Sequence, residues 1–207
     1  MSKGLTLLYG TGNPAKLQVM RETLSSLNLE IIGLGDMDKA PPEVAENGND
    51  PLENAYEKAM AYYRFYGIPV FSCDSGLYFD NVPDEEQPGI HVRNIGGKRL
   101  SDSEMIIYYG LKAMEYGGKL TARYKNAICL VLSENEIHKS MDESLWGKPF
   151  YIVGKPHEKR VEGFPIDSLS VDISSGKYCY DLPETTQKHY VEGFGNFFEN
   201  ALKEKLL

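Results

Sequence analysis

The sequence predicts a mixed-sheet α/β protein with two lobes and a cleft between them, and two observations carry that prediction. Strand-like and helix-like segments alternate in the first part of the chain, and a β meander follows in the later part. Leu5 to Tyr9 is a short apolar run ending at Gly10-Thr11-Gly12-Asn13, which describes a buried strand and then a turn. Leu17, Met20, Leu24 and Leu27 then share one face of a 3.6-residue period, which predicts a helix. Leu29 to Leu34 forms a second strand, and the polar, acidic, proline-containing stretch Met37 to Asn49 a loop. Asp50 suits an N-cap, Pro51 the first helical position, and Glu53 the third position of a capping box, so a helix runs from here to about Tyr66. Pro69 to Cys73 is a short strand that stops at Asp74-Ser75-Gly76. A loop through Pro88-Gly89 and Gly96-Gly97 leads to a helix capped by Ser101, with Glu104 as its box partner. Thr121 to Ser133, Ile137 to Met141 and Leu145 to Val153 give an antiparallel hairpin and a further strand. A last helix begins at about Glu184 and turns Phe194, Phe197, Phe198, Ala201 and Leu202 inward.

A chain of 207 residues can bury a real core, and the expectation is one domain over residues 1–207 built as two lobes. With 42% hydrophobic and 25% charged residues it is neither disordered nor fibrous. The net charge of −8 makes it a poor nucleic-acid binder, because phosphate-backbone affinity rests on clustered Lys and Arg. A small anionic ligand held by local donors remains compatible with that charge. Cys73, Cys129 and Cys179 form no CxxC pair, so neither a disulfide scaffold nor a zinc knuckle is indicated. No apolar run approaches the roughly 20 residues that span a bilayer. Met1-Ser2-Lys3 leads straight into the first strand, unlike a signal peptide, so the expected location is the reducing cytoplasm, away from membranes.

Three clusters could carry chemistry, each near a strand end or a helix start, where ligands of α/β proteins gather. Thr11-Gly12-Asn13 with Lys16 one turn later combines a glycine, a helix N-terminus and a cation, which suits an anion or phosphate. The same residues also describe a plain strand-to-helix turn capped by Asn13. Glu46, Gly48, Glu53, Asn54 and Lys58 form the second cluster; Glu46 is free to reach a metal, while Glu53 has a sufficient role as a capping-box acceptor. Glu53 and Lys58 are five apart, poorly placed for a helical ion pair. In Asp74-Ser75-Gly76 the carboxylate either joins substrate phosphates around a Mg²⁺ ion or opens an Asx turn. Phosphate donors, lysines and carboxylates together suit metal-assisted phosphoryl or nucleotidyl chemistry. His91, His138, His157 and His189 show no metal-binding spacing, and the nucleophile-elbow and dinucleotide glycine motifs are absent.

In order, Thr11-Gly12-Asn13-Pro14-Ala15-Lys16, Glu46-Asn47-Gly48, Glu53-Asn54-Ala55 with Lys58-Ala59, Asp74-Ser75-Gly76-Leu77 and Pro88-Gly89-Ile90 resemble the inosine/xanthosine triphosphate pyrophosphatases. Ala122-Arg123-Tyr124, Gly147 before Ile152, and Gly163-Phe164 before Asp167 extend the likeness over nearly the whole chain. The resemblance implies an elongated mixed sheet flanked by helices, a central nucleotide-binding cleft, Mg²⁺ dependence and a homodimer. It implies hydrolysis of aberrant purine nucleoside triphosphates (ITP, XTP and their deoxy forms) to the monophosphate and pyrophosphate. By position, Thr11, Gly12, Asn13, Lys16 and Lys58 would hold the triphosphate, and Glu46 and Asp74 the metal. Asp74 would also act as the base toward the attacking water, with Lys16 and Lys58 neutralising charge. Ser75 would touch phosphate or sugar, Phe164 would stack on the base with Asp167 nearby, and Lys188 would reach the base or ribose.

The chain departs from that family in three places. Cys73 stands where the family has the first of two adjacent acids, and is read here as a small apolar residue. In the aromatic loop the second aromatic is lost, leaving Gly163-Phe164-Pro165-Ile166-Asp167-Ser168. The Ser-His-Arg segment that reads the purine 6-oxo group is replaced by Glu192-Gly193-Phe194, so base discrimination should weaken or change. Two other functions are therefore weighed beside the pyrophosphatase: a nucleotide-binding paralogue with little catalysis, and the same chemistry on a different modified nucleotide.

Overall fold

The computed structural model describes residues 4–45, 47–183, 191–203 and 205. Its strands are β1 (Leu5–Tyr9), β2 (Leu29–Gly33), β3 (Val70–Phe79), β4 (Asn94–Ile95), β5 (Lys98–Arg99), β6 (Lys119–Ser133), β7 (Glu136–Ser140), β8 (Phe150–Val153) and β9 (Ser170–Asp172). The helices are α1 (Pro14–Thr23), α2 (Pro51–Tyr66), α3 (Asp102–Glu115) and α4 (Val191–Ala201); the expected start of the last is about Glu184. Residues 184–190 lie outside the described residues. Seven strands form a mixed sheet flanked by helices, and the long strands β3 and β6 each contribute to two compact units.

The first unit comprises residues 1–75, 126–146 and 190–207. Here β1 pairs in parallel with both β2 and β3, and β6 carries β7 antiparallel to it. Strand alternation sends successive side chains to opposite faces. Leu7, Tyr9, Phe71, Ile128 and Leu130 pack on one face against Met20 and Leu24 and against Phe194 and Phe198 of α4. Leu8, Val70, Cys129 and Val131 pack on the other against Ala55, Ala59, Met60 and Tyr62 of α2. The second unit comprises residues 76–125 and 147–189. Its core joins Leu77 and Phe79 with Met105, Tyr109 and Ala113 of α3, Leu120 and Ala122 of β6, and Ile152, Ile166 and Leu169.

Most elements fall where the pattern of residues puts them, and the differences have physical causes. The α1 helix ends at Thr23, with Leu24 as its C-cap, so Leu27 packs from the following turn and not from the helix. Asp50 caps α2 by accepting from the Glu53 N–H, but the Glu53 carboxylate reaches Asn49 in place of the cap residue. The box around Ser101 and Glu104 is complete. β3 does not stop at Cys73: it runs through Asp74-Ser75-Gly76 to Phe79, which removes the Asx turn proposed for Asp74. The polar inset is bridged because strand β6 lies beside β3 in the sheet. Leu145 ends a 3₁₀ turn over Glu143–Leu145, leaving the strand to begin at Phe150. Gly96 and Gly97, both at positive φ, make the two-residue turn of a β4–β5 hairpin that hydropathy alone does not show.

Two glycines of α4 test this packing with opposite signs. A Cβ on Gly193 would collide with the Ser144 carbonyl oxygen, whereas one on Gly195 meets no atom within 4 Å. Gly193→Ala is expected to lower the unfolding free energy by about 1–3 kcal/mol. Gly195→Ala is expected to raise it by about 0.5–1 kcal/mol. Thermal denaturation of both variants checks this, and equal shifts would contradict the contact.

Candidate functional site

The central group is Asp74, in the interior of β3. Alternation turns Phe71 and Cys73 toward the layer of α1 and α4, and Val70 and Asp74 toward α2. From α2, Lys58 Nζ lies 3.1 Å from Asp74 Oδ1, and Asn54 Nδ2 donates to Asp74 Oδ2 at 2.9 Å. Asn54 and Lys58 are four apart and so share one helix face. Asn54 is only 2% exposed, and its Oδ1 accepts the Gly48 N–H at 2.8 Å. One buried amide therefore ties the loop before α2 to the carboxylate on β3. A Cβ on Gly48 would press to 2.7 Å from Asn54 Oδ1, so this approach needs glycine.

The turn after β1 lies beside the same part of β3, because the Gly10 N–H donates to the Phe71 carbonyl and Ser72 Oγ to the Gly10 carbonyl. Asn13 caps α1, its Oδ1 accepting from the Ala15 and Lys16 N–H groups at 2.9 and 3.4 Å. The cap reading of Asn13 therefore holds, and its amide oxygen takes two helix donors that an anion could otherwise use. A Cβ on Gly12 would meet no atom within 4 Å, so internal packing does not require glycine there. Lys16 forms no ion pair with any described residue, whereas Lys58 pairs with Asp74.

Both lysines act on the Cys73 thiol, which hydrogen-bonds with Tyr9; burial prevails and pushes the thiol up to about 12. Cys73 is thus a neutral, partly buried group packed against the core, as read from its residue type. Ser75 Oγ donates to Asn126 Oδ1 at 2.7 Å, and Asn126 Nδ2 donates to the Leu145 carbonyl. Of the residues expected at the site, Lys58 and Asp74 are in direct contact, Lys16 acts on the neighbouring Cys73, Ser75 turns to Asn126, and the turn carrying Thr11, Gly12 and Asn13 meets β3 through Gly10. Asn126 and Tyr9 were missed by sequence reasoning. Asn126 has one signal, its place immediately ahead of the apolar run Ala127 to Leu132.

Glu46 and Lys188 lie outside the described residues. Phe164 and Asp167 belong to the second unit, where the left-handed Gly163 (φ 83°) leads into a 3₁₀ turn, Pro165–Leu169, anchored by Ile166 and Leu169. Burial raises the Asp167 carboxyl from its ordinary 3.8 to about 6. Gly193, which the resemblance sets at the place of the base-reading segment, is committed by its close approach to packing on Ser144.

Among the described residues no three of His, Cys, Asp and Glu gather as a metal cluster. The donor chemistry nevertheless fits a hard divalent cation at Asp74, whose two oxygens each accept one hydrogen bond from the described residues, fewer than a carboxylate oxygen can take. Magnesium is commonly held by one or two carboxylates plus substrate phosphates and water. The protonated Cys73 thiol adds no hard ligand.

Residues 7–202 match the family model described as the Ham1 family. A protein named dITP/XTP pyrophosphatase from Vibrio parahaemolyticus is 32% identical over 132 residues, 63% of this chain and 64% of that protein. A second of that name, from Hydrogenobaculum sp., is 31% identical over 150 residues, 63% of this chain and 69% of that protein. The match thus spans just under two thirds of the Vibrio protein's length. The structure of a HAM1 protein from Coxiella burnetii superimposes with a TM-score of 0.73 at 21% identity, covering 97% of this chain and 98% of that one. That likeness establishes the fold.

Two measurements probe this geometry. Asn54→Leu leaves the Gly48 N–H and Asp74 Oδ2 without their buried partner, and is expected to destabilise the protein by about 1–3 kcal/mol in denaturant unfolding. An unchanged midpoint would contradict the bridge. For Asp167 the folded state binds its proton more tightly than the unfolded chain. Its contribution to stability is therefore complete below pH 3.8 and is lost as pH rises through about 6. Asp167→Asn should abolish that loss, read as the difference between wild-type and variant stability across the window.

Proposed function

The chain belongs to the Ham1 family, and from that premise we propose that it is a nucleoside triphosphate pyrophosphatase, releasing pyrophosphate and leaving the monophosphate. The proposed substrates are aberrant purine nucleoside triphosphates, ITP, XTP and their deoxy forms, and the proposed cation is Mg²⁺. The observation that carries the reading is the Asp74 carboxylate held by Lys58 and Asn54 on β3, the strand to which the turn after β1 is bonded through Gly10.

In this reading Asp74 accepts a proton from the water that attacks the α-phosphorus. Its rotamer is held at one oxygen by the Lys58 ammonium and at the other by the Asn54 amide, so its remaining lone pairs face a fixed direction. Positioning of this kind, with charge neutralisation, supplies most of the catalysis in phosphoryl transfer. Lys16, without an ion-pair partner among the described residues, and Lys58 neutralise charge developing on the leaving pyrophosphate. The open face at Gly12 lets a phosphate oxygen approach the backbone. Asp74 with Glu46 would hold the divalent cation, which when bound supplies further charge neutralisation on the phosphate oxygens. Phe164 stacks on the base, with Asp167 and Lys188 near it, and the active species is a homodimer.

The base end favours a second reading on one observation. Gly193, at the place of the family's 6-oxo reader, is committed to packing against Ser144. That reading keeps the phosphate chemistry and changes the preferred base.

Asp74→Asn is expected to lower pyrophosphate release by about 10²–10⁴-fold while cooperative unfolding is retained. A panel of triphosphates with Mg²⁺, assayed separately for pyrophosphate and orthophosphate, tests the reaction and its base together. Near-normal turnover by Asp74→Asn would overturn the assigned chemistry. Nucleotide binding by the wild-type protein with no turnover on any member would mark it as a binding paralogue.

A further inference from the structure

The loop that carries Phe164 is strapped to the start of α3 by a residue that the helix itself does not need. Asp102 is the first residue of α3, yet capping there is already complete: Ser101 accepts the Glu104 N–H, and Glu104 answers to the Ser101 N–H at 2.8 Å. Both oxygens of the Asp102 carboxylate point elsewhere. Oδ2 accepts the Gly163 N–H at 3.1 Å, across 61 residues of sequence, and Oδ1 pairs with Arg93 Nη2 at 2.7 Å. Burial alone would raise this carboxyl, but the Gly163 N–H and the Arg93 guanidinium outweigh it and hold it below the ordinary aspartate value.

Arg93 is itself fixed. Its Nη1 donates to the Leu100 carbonyl at 3.1 Å, and the Leu100 N–H returns to the Arg93 carbonyl at 2.8 Å, closing the base of the β4–β5 hairpin. Just upstream, Tyr109 of α3 donates its hydroxyl to the Val92 carbonyl at 2.7 Å. On the far side of the strap, Gly163 sits at φ 83°, where a side chain would be strained, and the next residue is Phe164. The Phe164 carbonyl accepts the Asp167 N–H at 3.3 Å, and Ser168 Oγ closes the 3₁₀ turn on the Pro165 carbonyl at 2.9 Å. Backbone before and after Phe164 is thus pinned: its own N–H donates to the Val161 carbonyl at 3.1 Å, and the Asp102 side chain takes the adjacent Gly163 N–H.

We propose that Asp102, oriented by Arg93, is a positioning residue for the base platform: it fixes Gly163 and thereby the direction of the Phe164 ring. The inference rests on the reading of Phe164 as the ring that stacks on the base. A half-buried ion pair that solvent still screens adds little to global stability, so its effect belongs to geometry. Loss of one charge-assisted hydrogen bond to the loop corresponds to about tenfold in affinity for the group it places.

The test separates the base from the phosphates. KM and kcat are measured for ITP, and inorganic tripolyphosphate, which has no base, is used as competitive inhibitor. Asp102→Ala is expected to raise KM for ITP about tenfold, with kcat and the tripolyphosphate inhibition constant within about twofold of wild type. Arg93→Ala should move the same quantity in the same direction, and Asp102→Asn, which keeps an acceptor for Gly163, by less. An unchanged KM in Asp102→Ala, or equal losses for ITP and tripolyphosphate, would overturn the proposal. Should Asp102→Ala fail to fold, Asp102→Asn and Arg93→Ala carry the same comparison. Phe164→Ala is the control: if it too leaves KM unchanged, the base-platform reading fails rather than the strap.

Discussion

A carboxylate in the interior of a β-strand is the constraint on which the rest of the first unit depends. Asp74 is set between apolar stretches of β3, where an unpartnered charge would be costly to keep. Lys58 and Asn54 meet that cost only if α2 lies over β3 in one register, because both must reach the same carboxylate from one helix face. The register is set at the helix start by the Asp50 cap and by the Gly48 N–H bound to the far side of Asn54. Loop, helix and strand are consequently interlocked through a few short polar contacts. The apolar packing of Ala55, Ala59 and Met60 then holds them at fixed distance.

The alternation of β3 gives the substitution at residue 73 a definite consequence. Two adjacent acids on a strand would project to opposite faces, one toward α2 and one toward α1. Here the α1 side carries the neutral Cys73 thiol with Tyr9, and the α2 side keeps its carboxylate. The side near Lys16 is therefore less negative than an acid would make it, and the absence of a described ion-pair partner for Lys16 fits that change. For a site proposed to take a triphosphate, the substitution removes repulsion on one face and leaves the Asp74 carboxylate intact on the other.

The second unit uses a different device. Phe164 follows a glycine in the left-handed region and precedes a tight 3₁₀ turn, so its ring direction is a property of the backbone around it. Ile166 and Leu169 root that turn in the core, while Asp102 ties its leading edge to α3. Asp167, on the same turn, is raised by burial, and its higher proton affinity follows from the low polarity of its surroundings.

Local chemistry was legible in the residues themselves. The caps at Asn13, Asp50 and Ser101, the apolar core of β6 and the inward phenylalanines of α4 follow from side-chain type and spacing, because caps and amphipathic periods are decided within a few residues. The family, too, was carried by short motifs in order. What those patterns could not contain was the continuation of β3 through Asp74, since a polar inset reads as a strand end until a neighbouring strand supports it. Nor could they show Asn54 facing both Gly48 and Asp74, Asn126 bonding to Ser75, or Asp102 reaching Gly163. Each of these joins residues distant in sequence, and such pairings are selected by the packing of layers, which fixes distances that no local propensity encodes.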